Sequence, residues 1–189
     1  QGILLIGDFI KKYNKILSVI VIILLIGAGG YYQIKQADII IKNKIPSFEG
    51  IKQASFYVKE ISSSEDIIVS QPIPQTIYYS EMKVMHPTQI SGINGSDYIL
   101  GDFLKGLEKN PNAKYLLISF SEPGYPDWMV QKSPTFWNIP FMDTTIDFTT
   151  GQQNIRQSIR YQNFTFTLLD VKQDVFIYEI KKVYPKEIL

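Results

Sequence analysis

Residues 16–34 form a run of nineteen positions without a single Asp, Glu, Lys, Arg or His, and 16–26 are apolar apart from Ser18. An α-helix rises about 1.5 Å per residue, so the run spans roughly 28 Å, close to the ~30 Å hydrocarbon core of a bilayer. Its Ile and Val residues are poor helix formers in water. In lipid, however, every backbone group must be satisfied internally, and a helix is the only single-segment solution. The leading expectation is a transmembrane helix over residues 16–32. Two other readings compete with it: a cleaved signal peptide, with Ala28, Gly29 and Gly30 as the small-residue zone, and a buried helix of a soluble core.

The flanks set an expected orientation. Lys11, Lys12 and Lys15 precede the run, while Tyr31, Tyr32 and Gln33 follow it before Lys35. The lysine-rich side is expected on the cytoplasmic or matrix face. Lys11, Lys12, Lys15, Tyr31 and Tyr32 then act as interface anchors, and Gly27, Gly29 and Gly30 offer a smooth strip for a second helix. Residues 1–15 carry Leu4, Leu5, Phe9, Ile10 and Tyr13 with Asp8, Lys11 and Lys12 on another side, the pattern of an entry-side amphipathic segment.

Residues 33–189 read as a soluble α+β domain. Helical spacing marks about 33–62, with Pro46 expected to end a first helix and Ile51, Ala54, Val58 and Ile61 forming the apolar stripe of a second. The texture of 66–185 is strand-rich: 66–70, 76–85, 114–120 and 144–149 read as strands, and 101–109 as a short helix. Residues 161–171 and 175–183 form the clearest antiparallel pair, around a turn at Lys172, Gln173 and Asp174, and the second of them is expected to be covered on both faces. A mainly antiparallel sheet after two helices is the expected arrangement.

Residues 121–140 hold Pro123, Gly124, Pro126, Pro134 and Pro140 together with Tyr125, Trp128, Phe136 and Trp137. Pro and Gly disfavour regular elements, and large rings are costly to leave in water, so this segment must pack on its own sheet or on a partner. Tyr125, Trp128, Phe136 and Trp137 are the candidate partner contacts, because Trp and Tyr are enriched in interface hot spots.

The chemistry available is limited. There is no Cys, which excludes disulfides, thiolate metal sites and cysteine nucleophiles. The single imidazole, His86, has no nucleophile elbow beside it, and Asp143 and Asp147 lack calcium-loop spacing. No phosphate-cradling GxxxxGK[ST] occurs, and a formal charge of +1 does not suit phosphate recognition, so neither nucleotide nor nucleic acid is expected as a partner. Asn94-Gly95-Ser96 and Asn163-Phe164-Thr165 match a glycosylation sequon and are assigned turn and strand roles. No cofactor and no catalytic or metal-binding residue is expected.

The helix ending in Phe56, Tyr57, Val58, Lys59 and Glu60, followed by Ile67, Ile68 and the Pro72-Ile73 pair, resembles the mitochondrial single-pass inner-membrane family of the cytochrome-oxidase assembly factor and the translocase-associated import protein. That resemblance implies a non-enzymatic protein docking onto respiratory or import machinery from the intermembrane space. A chain opening at Gln1 without Met accords with a processed N-terminus. The expected function is a non-catalytic accessory subunit or assembly factor of a multi-subunit inner-membrane complex, partnered by other subunits and the bilayer. A bacterial envelope secretion component with a periplasmic domain is the alternative, and a membrane-tethered hydrolase a third.

Overall fold

A computed structural model of the chain describes Lys12, residues 15–95 and residues 97–184. The chain divides into two compact units, 1–46 and 47–189. Helix α1 (Lys15–Ile61) carries the apolar run at its start and the stripe of Ile51, Ala54 and Val58 at its end. Pro46 removes one donor from the helical ladder without ending the element, contrary to the expected break. Apart from Lys12 and Lys15, the expected amphipathic segment lies outside the described residues.

In the second unit β1 (Ile67–Ser70), helix α2 (Ile73–Ser80) and β2 (Lys83–Met85) are followed by helices α3 (Pro87–Ser91) and α4 (Leu100–Lys109) and then by β3 (Ala113–Ser119). Two-residue β4 (Gln131–Lys132), β5 (Phe136–Ile139), β6 (Thr144–Asp147) and β7 (Gln153–Asn154) come next, and β8 (Ser158–Tyr161), β9 (Phe164–Lys172) and β10 (Val175–Lys182) close the chain. The larger sheet has the order β2-β1-β3-β10-β9-β8, and the smaller one β4-β5-β6-β7. The protein is α+β, with an apolar N-terminal helix and mainly antiparallel strands. The larger sheet is mixed, because β1 pairs in parallel with both β2 and β3.

Residues 76–85 depart from the strand expectation. They begin inside α2, where Pro72 and Pro74 stand at the helix start, the one place where the missing N–H costs nothing. Thr76 Oγ1 donates to Pro72 O at 2.9 Å and Ser80 Oγ donates to Thr76 O at 2.6 Å, so the buried hydroxyls bond back along the helix. Glu81 ends it in the left-handed conformation, and only Lys83–Met85 remain extended.

Both faces of the larger sheet are covered. On one face Ile51, Ala54 and Val58 of α1 pack on Ile68, Val84, Tyr115, Leu117, Val175 and Ile177. On the other, Val69, Leu116, Ile118, Phe176 and Tyr178 meet Ile90 of α3, Phe103, Leu104 and Leu107 of α4, and Ile139, Phe141 and Met142 of the second sheet. Strand β10, between β3 and β9, is therefore apolar on both sides, as its continuous run of large residues leads one to expect.

Two glycines mark close backbone approaches. A Cβ on Gly106 of α4 would lie 1.8 Å from Ile90 O in α3, and one on Gly50 of α1 would lie 2.6 Å from Asp174 Oδ1 at the β9–β10 turn. Gly106→Ala is expected to destabilise the domain by about 3 kcal/mol or more, since backbone rather than a flexible side chain must yield. Gly101→Ala, with only Ile99 Cδ1 at 3.9 Å, is expected to be neutral or slightly stabilising. Urea denaturation of the two variants checks the contrast.

Candidate functional site

The first unit presents the most unusual surface. Ile16 and Ile34 are 74% and 72% exposed, and Val19, Ile20, Ile23, Leu24, Ile26, Tyr31, Tyr32 and Ile39 are exposed as well. Within α1 the stretch Lys15–Ile39, 25 residues, is long and apolar enough to cross a membrane, and almost none of it is buried by the protein. It is thus a candidate membrane helix by length, composition and exposure. Lys12 and Lys15 are exposed at its start, while Lys11 lies outside the described residues. A Cβ added at Gly27, Gly29 or Gly30 would meet nothing within 4 Å. That leaves a strip of backbone open along the helix.

The aromatic segment contains elements that the sequence reading excluded. Pro134 and Pro140 bracket β5 rather than forbid it, and Pro140 opens the 3-10 turn Pro140–Met142. Trp128 is clamped by its own domain: its Nε1 donates to Tyr98 O at 2.7 Å, its ring stands edge-on to Tyr98 and Phe141, and Phe103 tilts against it. Tyr125 is buried, and its hydroxyl accepts from the Ser119 N–H at 3.3 Å. Burial pushes that phenol well above its ordinary value. Trp137 stacks on Phe120 with centroids 4.8 Å apart and meets Phe148 edge-on at 5.0 Å. Of the four expected contact residues, Phe136 is the most open, at 36% exposure. The alternative of packing against the chain's own sheet describes Tyr125 and Trp128, and the structure does not gather the four rings into one outward patch.

His86 sits at the start of α3. Its backbone N–H donates to Gln89 Oε1 at 2.8 Å, and its Nδ1 accepts from the Thr88 N–H at 3.2 Å, a reciprocal helix cap. Partial burial holds the imidazole below its ordinary value. Asp143 is paired with Arg156 at 3.0 Å. Asp147 Oδ1 accepts from Thr149 N at 2.7 Å, Thr149 Oγ1 at 2.6 Å and Thr150 N at 3.2 Å, which closes the turn after β6. These bonds pull Asp147 down to about 2, led by the Thr149 hydroxyl. The two carboxylates therefore serve separate local structures. Among the described residues no group of three His, Asp or Glu side chains converges. Of the sequons, Asn163 falls in the β8–β9 turn and Ser96 lies outside the described residues.

No family model, curated protein or solved structure matches this chain. The function must therefore be argued from surfaces. One surface was missed by the sequence reading: the outer face of the smaller sheet, where Gln131, Asn138, Thr145 and Asn154 stand in one cross-strand row. Asn138 Nδ2 donates to Gln131 Oε1 at 3.3 Å, and Thr145 Oγ1 donates to Asn138 Oδ1 at 3.0 Å. The signal was present in residues 133–155, which hold no Lys or Arg in a chain with 19 of them.

Trp128→Ala is expected to cost about 3–5 kcal/mol of folding stability, and Phe136→Ala distinctly less. Thermal melts of the full chain check this ordering. For His86 the folded value lies below the unfolded 6.5, so its capping contribution is present above about pH 6.5 and is lost as pH falls through the lower folded value. His86→Ala should cost about 1 kcal/mol at pH 7.5, and His86→Asn, which keeps a capping acceptor, a smaller amount. Chemical denaturation between pH 5 and pH 8 tests both the size and the sign.

Proposed function

We propose that this chain is a membrane-anchored, non-catalytic docking domain, an accessory component of a larger membrane assembly. The observation that carries the reading is the Lys15–Ile39 stretch of α1, predominantly apolar and almost entirely unburied by the protein. Water does not tolerate so large a continuous apolar surface, and a bilayer or a bundle of neighbouring helices removes it. The positive-inside rule puts Lys12 and Lys15 on the cytoplasmic or matrix face and residues 47–189 in a periplasm or intermembrane space.

Three features support a docking role. The open backbone at Gly27, Gly29 and Gly30 suits close approach by a second transmembrane helix. His86 is engaged in capping α3, and Asp143 and Asp147 are each held by a local partner, so these groups act as parts of the scaffold. A mixed sheet with both faces covered gives a rigid body to present at a membrane surface.

Ile22→Arg is expected to impair insertion, since a charge at the centre of a span costs about 2.5–3.5 kcal/mol on the insertion scale. Alkaline extraction of membranes should release the variant and retain the parent. Protease added on the side away from Lys12 and Lys15 should digest residues 47–189 in intact vesicles; complete protection on that side overturns the orientation. Gly29→Ile should leave insertion intact and lower recovery of co-purified membrane partners; unchanged recovery removes the helix-packing role.

A further inference from the structure

The outer face of the β4–β7 sheet has an unusual composition. Residues 131–156 contain eleven Ser, Thr, Asn or Gln residues, two acids, Asp143 and Asp147, and two bases, Lys132, whose Nζ donates to Phe120 O, and Arg156, which is paired with Asp143. A solvent-facing sheet usually carries charge, above all on its edges, where Lys discourages pairing with other strands. Here the row runs Gln131, Asn138, Thr145, Asn154 across all four strands, exposed at its two ends and half-buried at Asn138 and Thr145, with the first three side chains already joined by hydrogen bonds.

The row is orientated rather than floppy. Asn138 uses Nδ2 on Gln131 and Oδ1 on Thr145, and Asn154 Nδ2 donates to Asp143 O at 3.2 Å. Phe136 lies two residues from Asn138 and so stands on the same face, about 7 Å away along the strand, with its ring partly exposed. Asp147, opposite Phe136, turns its Oδ1 into the turn formed with Thr149 and Thr150. A groove of about 360 Å³ bounded by Thr145, Asp147, Gln152, Gln153 and Asn154 continues the row at its β7 end.

Amides and hydroxyls in fixed directions, an aromatic ring beside them and no uncompensated positive charge match one ligand chemistry. The cation next to the row, Arg156, is already paired with Asp143, which leaves an anion poorly served, and an apolar chain would strand the amide groups without partners. A neutral polyhydroxyl ring presents paired donors and acceptors around its rim and C–H groups on its face, which complement the amide row and the Phe136 ring respectively. At about 4.8 Å between strands, the row extends roughly 14 Å, long enough for a short oligosaccharide. We propose that this face, centred on Asn138, Thr145, Asn154 and Phe136, is a binding site for a neutral carbohydrate.

The test uses the full chain in lipid nanodiscs, because sugar-headed detergents would compete. The probes are neutral linear hexasaccharides of glucose, mannose and N-acetylglucosamine, with polygalacturonate as the acidic control, titrated by calorimetry and by saturation-transfer NMR. At least one neutral probe should bind, with affinity changing less than about twofold between ~50 and ~500 mM NaCl, as expected where no charge pairing contributes. Asn154→Lys, at an exposed edge position, should weaken that binding about tenfold or more with an unchanged melting temperature, and Phe136→Ala should do the same with a small drop in melting temperature. Should Phe136→Ala fail to fold, Asn154→Lys and Thr145→Val carry the comparison. Absence of binding to all three neutral probes overturns the assignment. So does salt-sensitive binding in which polygalacturonate is preferred, or parent-like affinity in the folded variants.

Discussion

The architecture of the second unit depends on one constraint: the central strands of the larger sheet are apolar on both sides and must be covered twice. Ile68, Leu117 and Ile177 face one way, and Val69, Leu116, Phe176 and Tyr178 the other. A single layer cannot satisfy such a sheet in water. The end of α1 covers the first face, with Gly50 allowing the helix to reach the β9–β10 turn. Helices α3 and α4 share the second face with the smaller sheet, so the smaller sheet exists as a cover and is packed on one side only. Its other side is free to be polar, which is why the row from Gln131 to Asn154 can face outward.

The joint between these layers is tied by polar groups in places where apolar packing alone would not fix register. Asp174, buried at the β9–β10 turn, accepts from Ser119 Oγ at 3.1 Å and Ser121 N at 2.9 Å, and its backbone O accepts from Phe120 N at 3.1 Å. The Ser121 hydroxyl donates to the same carboxylate. A carboxylate so surrounded keeps the hairpin tip against the end of β3, and charge-assisted bonds of this kind hold more firmly than neutral ones. Tyr115 adds a second tie from the sheet to the end of α1, its hydroxyl donating to Ile61 O at 3.2 Å.

Legibility in the sequence followed the strength of periodic signal. The apolar run, the Ile51-Ala54-Val58 stripe, α4 and the final hairpin were visible because each repeats a single pattern over two or more turns or strand pairs. Residues 76–80 were misassigned because Thr, Ile and Tyr favour strands, whereas Pro72 and Pro74 start a helix whose Thr76 and Ser80 hydroxyls are satisfied internally. Strand β5 is hidden in the sequence for the reverse reason: prolines read as breakers, whereas Pro134 and Pro140 stand just outside four extended residues. The parallel pairing of β1 with β2 and β3 rests on long-range contacts that no local window contains. At the candidate sites, the aromatic content of residues 121–140 was evident, but which rings face inward was decided by the β5–β6 register, which sets Trp137 beside Ile146 in the core and Phe136 beside Asp147 outside. The amide row required the same register and so could not be read from spacing alone.

Magnitudes separate the two exposed surfaces in what they demand. Between Ile16 and Ile39 twelve large apolar side chains are exposed, and at about 1.5–3 kcal/mol for burying each, removal from water is worth on the order of 20 kcal/mol. No surface ion pair in the molecule competes with that, since exposed pairs such as Lys59–Glu81 contribute about 0–1 kcal/mol. The apolar surface of this helix therefore strongly favours removal from water. The polar row makes no such demand, because each amide left in water is already solvated and its net gain on binding is about 1 kcal/mol per hydrogen bond. A surface of the second kind suits the reversible recognition proposed for it, and with the apolar helix in a bilayer, as proposed, that recognition would be confined to a membrane face.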